Sequence, residues 1–311
     1  MTHSVVIITK DRPRESARLI RALQMQTCIP DEILVIDAGH SFNIKADGKS
    51  GKVVGVKRIQ SKAGIAIQRN LGLEHARGEI ISFIDDDAVP EPDYCVEVLR
   101  AFADQPTVVG ITGVQTNTKP HSFFERFFRT LFLVQRIHGR NKFRLSGFPE
   151  LGEISNSTRS IEISSTCAFS FRASAVKDIR IPVEIFSGLP LGLSTPRCFG
   201  EDVWFSHELG KKGEMLQIIS AKYRHNESAR SREDAMITQS LYVYAMRILS
   251  HMVVSNPLQR ACRIWALFHQ GMINSVQTLC YRDTGYFLGY MNAMRAPLLE
   301  IRNSARKLQT G

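Results

Sequence analysis

The sequence contains no Cys-x-x-Cys pair. Its six cysteines (Cys28, Cys95, Cys167, Cys198, Cys262 and Cys280) are scattered along the chain. That spacing offers neither a zinc ligand set nor a disulfide framework, so they read as free thiols of a reducing compartment. An uninterrupted apolar run of about eighteen residues, the minimum for a spanning helix, is also missing. No internal repeat or low-complexity stretch occurs. The chain enters the strand-like Ser4-Val5-Val6-Ile7-Ile8 after three residues, which leaves no leader segment and makes a cytoplasmic protein the expectation.

What is present is a 311-residue chain with 43% hydrophobic and 23% charged residues, enough for a full globular core. The net charge of +10 is uneven, because 12 Lys/Arg against five Asp/Glu lie from Lys222 onward. Such a tail attracts polyanions. Aromatic residues interleaved with it, among them Tyr242, Trp265, Phe268, Tyr286 and Tyr290, favour an anionic membrane surface over nucleic acid, which is not expected as a partner. The plainer reading is a docked helical extension with a solvated basic face.

The first 110 residues alternate in period. Strand patterns at Val5–Ile8, Glu32–Ile36, Lys52–Ile59 and Ile80–Ile84 are separated by helical patterns at Arg14–Gln26 and Ile65–Ala76, with a further helix over Pro92–Ala103. This is the pattern of βαβ units and a mainly parallel sheet flanked by helices. Strands are expected again at Val108–Val114 and Ser165–Phe171. Between them lies a Phe-rich amphipathic stretch over His121–His138, suited to core packing or to a membrane interface, and residues 139 to 160 read as a loop. The end of the chain reads as helices over Ile237–Val254, Pro257–Leu279 and Tyr286–Lys307, with Pro297 kinking or ending part of the last.

Ligands of parallel sheets gather beyond the carboxyl ends of the strands. Here those ends read Thr9-Lys10-Asp11-Arg12, Asp37-Ala38-Gly39 and Asp85-Asp86-Asp87. Three adjacent carboxylates after a buried strand repel one another, and a hard divalent cation shared with phosphates removes that cost. Pro90 is expected to stop that strand. The alternative for the triple is a solvated polar turn. Gly64 opens a helix that carries Arg69, suited to a pyrophosphate, and Gly200-Glu201-Asp202-Val203-Trp204 places two acids at another helix start.

In this order, Thr9-x-x-Arg12, Asp37, Gly64-x4-Arg69-Asn70-x-Gly72, Gly78-Glu79, Asp85-x-Asp87, Pro90 and Gly200-Glu201-Asp202 resemble the family 2 glycosyltransferases of GT-A fold, over residues 3 to 225. The resemblance implies an α/β GT-A Rossmann-like domain at 1–225, with a nucleotide-sugar half to about residue 110 and an acceptor half at 111–225. A helical basic extension fills 226–311. It implies inverting, metal-dependent transfer from a nucleotide diphosphate sugar to a hydroxyl of a glycan or lipid-linked acceptor, in polysaccharide or glycolipid synthesis. Carried over by position, Asp37 holds the nucleoside and Arg69 the diphosphate side, with Thr9, Arg12 and Asp86 beside them. Asp85 and Asp87 form the D-x-D element on Mg²⁺ or Mn²⁺, with His225 as a further ligand. Asp202 is the base, and Glu201 and Trp204 position the acceptor. Ala38 and His40 stand where the family often has a second acid and a serine. The stretch Gln259-Arg260-Ala261-Cys262-Arg263-Ile264-Trp265 misses the Gln-x-x-Arg-Trp spacing of processive relatives, so a single addition is expected. The alternatives are a sugar-phosphate nucleotidyltransferase, whose glycine-rich N-terminal loop is missing, and an inactive nucleotide-binding scaffold.

Overall fold

The computed structural model describes residues 1–39, 55–117, 141–151, 155–187, 191–193, 198–226 and 235–310. The Phe-rich stretch at 121–138 lies outside them. The chain forms two compact units, one of Met1–Thr118, Glu153–Ile181 and Phe205–Ser228, the other of Lys119–Gly152, Pro182–Trp204 and Ala229–Gly311.

In the first unit β1 (His3–Thr9) is buried at every residue except Ile8. A strand covered on both faces gains from apolar side chains in a continuous run. It lies between β2 (Glu32–Asp37) and β4 (Ile80–Asp85), parallel to both, and β3 (Val56–Gln60) continues the parallel set beyond β2. On the other side of β4 the sheet becomes mixed. β10 (Ala168–Arg172) runs antiparallel between β4 and β6 (Val108–Gln115), and β11 (Glu214–His225) pairs parallel with β6. Helices α1 (Pro13–Gln24), α2 (Ile65–His75) and α3 (Tyr94–Asp104) complete the expected α/β layers. Leu19, Ile20 and Leu23 of α1 and Val98 and Phe102 of α3 share one core with Val5, Ile7, Val35 and Ile84. Each such side chain contributes roughly 1.5–3 kcal/mol on burial. A second aromatic group joins Phe83, Phe171 and Phe205 edge to face, with the Phe171 centroid 5.0 and 5.2 Å from the other two.

Two local expectations are corrected and a third is met. Pro90 does not stop a strand, because β4 ends at Asp85 and Pro90 sits in a second short strand, β5 (Ala88–Pro90), antiparallel to β11. Proline is tolerated there at the sheet margin, where its missing N–H costs no ladder bond. Residues 139 to 160 are not all loop: β7 (Lys142–Phe143) and β8 (Pro149–Glu150) pair as a hairpin, and β9 (Arg159–Ile161) joins β11. The last helix is divided, as Pro297 allowed, into separate helices on either side of Ala296–Pro297.

The second unit holds the short helix α4 (Val183–Phe186), the first four residues of α5 (Glu201–Gly210) and the helices α6 (Ala235–Val253), α7 (Pro257–Tyr281), α8 (Gly285–Arg295) and α9 (Leu298–Thr310). Helix α6 is buried along most of its C-terminal half, including Tyr244, Ile248 and Leu249. Its Arg247 donates to the carbonyls of Ala293 and Ala296, the electronegative end of α8. Helix α7 starts at a capping box in which Asn256 accepts from the Gln259 N–H and the Gln259 side chain returns to Asn256.

Candidate active site

The site grows from the ends of β1 and β4. Asp11 takes a left-handed φ of 55°, turning the chain sharply into α1 so that Arg12 reaches back. The Arg12 guanidinium donates to Asp86 at 2.9 Å and to Asp87 at 3.2 Å. Thr9 Oγ1 donates to the other Asp86 oxygen at 2.7 Å and itself accepts from Ser16 Oγ at 2.9 Å. Burial pushes the Asp86 carboxyl up to about 6, with the Thr9 and Arg12 hydrogen bonds limiting the rise. The carboxylates are therefore not a solvated turn: Asp86 and Asp87 are buried and paired.

The long strand β11 supplies the opposite wall. It pairs with β6 on one edge, with a register shift between Gln217 and Lys222, and near its end with β5 on the other, where His225 stands opposite Ala88. The Asn226 N–H donates to the Asp87 carbonyl at 2.9 Å, and Asn117 brackets the His225 backbone at 2.8 and 3.0 Å. His225 Nε2 then lies 3.1 Å from Asp87 Oδ1. Burial alone would raise Asp87, but the hydrogen bond and charge of His225, with Arg12 behind them, outweigh it and hold the carboxyl below its ordinary value.

Asp87 and His225 meet in a direct hydrogen bond of 3.1 Å, close to the roughly 3 Å that separates adjacent ligands of an octahedral ion at about 2.1 Å. Among the described residues no group of three or more His, Cys, Asp or Glu side chains gathers at ligand spacing. Mg²⁺ in such sites completes its sphere with substrate phosphates and water.

The remaining residues of the first unit sit around this cluster. Asp85 is partly exposed and meets the buried Arg69 at 3.3 Å. Asp37 is fully buried, accepting two hydrogen bonds from Arg58 at 2.9 and 2.7 Å and one from the Gly39 N–H at 2.7 Å. Gly39 cannot carry a side chain, because a Cβ there would stand 2.5 Å from the Asp11 nitrogen. Gln68 ties the strand ends together by donating to the carbonyls of Thr9 and Ile36, both at 2.8 Å. Arg58, Gln68 and Ser16 were not singled out from sequence. Arg58 and Gln60 do share one face of β3 at the alternating spacing that could have pointed to Asp37.

Glu201, Asp202 and Trp204 belong to the second unit, in the first turn of α5. Glu201 is buried and Asp202 partly exposed, with Asp202 Oδ1 accepting from the Val203 N–H at 2.8 Å. Trp204 is buried against Phe186 and its indole N–H faces the Leu308 carbonyl at 3.5 Å.

Curated relatives of this chain carry glycosyltransferase names. An uncharacterized glycosyltransferase of Haemophilus influenzae is 24% identical over 171 residues, 51% of this chain and 58% of that protein. The glucosyl-dolichyl phosphate glucuronosyltransferase of Haloferax volcanii is 26% identical over 150 residues, 45% of this chain and 48% of that protein. The chain thus spans about half the length of these two relatives. Among solved structures, S. aureus TarS 1-349 matches with a TM-score of 0.58 at 16% identity, covering 99% of this chain and 83% of that one. The same protein in complex with UDP-GlcNAc matches at 0.51 and 14% identity, over 99% and 92% of the two chains. At such identity the likeness speaks for the fold, which is that of TarS. The family model described as "Glycosyl transferase family 2" matches residues 4–180, more than half of the chain and every strand end from Thr9 to Asp87. The chain belongs to glycosyl transferase family 2.

Proposed function

We propose that this chain transfers a sugar, with inversion and one residue at a time, from a nucleotide diphosphate sugar to a hydroxyl of a glycan or lipid-linked acceptor, in polysaccharide or glycolipid synthesis. The observation that carries this reading is the convergence of Thr9, Arg12, Asp86, Asp87 and His225 at the ends of β1, β4 and β11 in a chain of this family.

Asp37, with Arg58 as its partner, stands at the nucleoside end, and Arg69 is the buried cation for the diphosphate. Asp87 and His225, with Asp85 on the D-x-D element, would hold Mg²⁺ or Mn²⁺, which when bound offsets charge on the leaving diphosphate. Thr9 and Arg12 fix Asp86, so the adjacent Asp87 meets its ligand with little reorganisation. Inversion requires a base on the face opposite the leaving group. Asp202 has that role: its carboxylate takes the acceptor proton, a contribution of about 10²–10⁴-fold. Glu201 and Trp204 position the acceptor, Trp204 from its buried place against Phe186. The domain assignment, a GT-A domain at 1–225 and a helical extension at 226–311, forms part of the same proposal.

The TarS complexes contain UDP and UDP-GlcNAc, which makes UDP-sugars the first donors to try. The test is a panel of nucleotide sugars scored by melting shift and by nucleotide release, with and without Mn²⁺. At least one should stabilise the protein only with metal and release its nucleoside diphosphate when an acceptor is added. Absence of any shift across uridine, guanosine, thymidine and cytidine sugars would reject the reading.

A further inference from the structure

Helix α7 (Pro257–Tyr281) is amphipathic in the wrong sense for a helix whose outer face meets water. Its buried positions are Ala266, His269, Gln270, Gly271 and Asn274, small or polar. Its outer positions Ile264, Trp265, Phe268, Met272, Val276 and Leu279 are all apolar and 45–78% exposed. They recur at intervals of three and four and so form one stripe. Between Arg263 and Arg282 the sequence has no charged residue. The stripe continues into an apolar cleft of about 470 Å³ between Leu279 and Phe287. A continuous apolar face of this length marks a surface that is covered in use.

The charges beside it decide what covers it. Residues 257 to 311 hold seven Lys/Arg against two Asp/Glu. Arg260 and Arg263 stand in the first turns of α7, ahead of the stripe, and with Arg302 of α9 and Arg247 of α6 their charges act on His251. Burial first, then the fields of these four arginines, hold that imidazole down to about 4. Arg263 is itself lowered by burial and by the other three. A second copy of this chain seated on the stripe would bring two such cationic ends together, against the net charge of +10. A bilayer with anionic headgroups matches both features, accepting the aromatic stripe at the acyl boundary and the guanidinium groups at the phosphates. No helix among the described residues is long and apolar enough to cross a membrane, so α7 would lie in the plane of the interface.

We propose that the second unit docks on an anionic lipid surface through the outer face of α7, with the exposed Arg260 and Arg302 on the headgroup phosphates. This does not rest on the sugar-transfer reading. Its test uses the full chain with phosphatidylcholine vesicles, with and without phosphatidylglycerol. Of the two tryptophans Trp204 is buried and Trp265 45% exposed, so emission should shift to the blue on anionic vesicles, and Trp265→Phe should abolish the shift while leaving co-sedimentation intact. Phe268→Glu should weaken partition roughly tenfold or more. Arg260→Gln and Arg302→Gln should each weaken it about fivefold. Unchanged melting temperatures would show that the variants are folded. Equal partition onto neutral and anionic vesicles, or none onto either, would overturn the proposal. So would a dimer in vesicle-free buffer that Phe268→Glu dissolves, since the second copy would then be the occupant.

Discussion

The two units solve the problem of burial in opposite ways. In the first, apolar strands are covered on both faces and the buried acids at the strand ends each have a cationic or hydroxyl partner: Asp37 with Arg58, Asp86 with Arg12 and Thr9, Asp87 with Arg12 and His225. In the second, the longest described helix turns Gln270 and Asn274 inward and Trp265, Phe268 and Leu279 outward. The first unit buries charged groups where they are matched, and the second exposes a stripe of large apolar side chains.

The comparison would break most sharply at the acids. Asp87→Ala and Asp202→Asn are each expected to reduce sugar transfer by about 10²–10⁴-fold while leaving the melting temperature within a few degrees, checked by nucleotide release and calorimetry. If both variants retained full turnover, the pairing of the strand-end acids would be only structural. The first unit also carries a buried neutral histidine, His3, whose Nε2 shares a hydrogen bond of 2.8 Å with Ser82. Burial lowers it to about 4, with Asp31 opposing. The unfolded chain binds this proton near pH 6.5 and the fold does not, so stability attributable to His3 is full above pH 6.5 and declines as pH falls toward 4. The loss amounts to about 3 kcal/mol. Asp86, raised to about 6, contributes with the opposite sign, so the check is the difference between the wild type and His3→Gln in urea midpoints from pH 7 to pH 4.5. The variant should lack that acid-side decline.

Two smaller effects sharpen the contrast in packing. In Gly78→Ala the new Cβ would stand 2.5 Å from the Ser4 nitrogen and 2.9 Å from the Ile80 carbonyl oxygen, both backbone atoms of the sheet. A loss of about 2 kcal/mol is expected by denaturant melting. Asn256→Ala removes the cap of α7 from the second unit and should cost about 1 kcal/mol. A cost well above that would mean that α7 is held by its cap more than by its inward face.

Much of the first unit could be read from local pattern. The runs Val5-Val6-Ile7-Ile8 and Ile80-Ile81-Ser82-Phe83-Ile84, with Gly64 before a helical period, place β1, β4 and α2 without any long-range knowledge, because periodicity and helix opening are properties of neighbouring residues. The polar ends of those runs marked the candidate site for the same reason. The β5 strand was misread, since Pro90 looks like a strand breaker until β11 offers it a pairing in which its missing N–H does not matter. His225 was expected as a metal ligand only through the resemblance; the pairing of the end of β11 with β5 gives it Asp87 as a neighbour. Arg58 went unread because a strand arginine has no address until the strand beside it is known.

The sequence by itself determined most strands and helices of the first 115 residues and the helices of the tail, that acids crowd the strand ends, and that the tail is basic and aromatic. Those are consequences of side-chain type and spacing along one segment. Only the tertiary structure decided which acid meets which cation, that Asp87 and His225 face one another at 3.1 Å, and that the apolar stripe of α7 points outward. Each of these depends on which segment packs on which, and a helix carries the same period whether its apolar face turns toward the core or away from it.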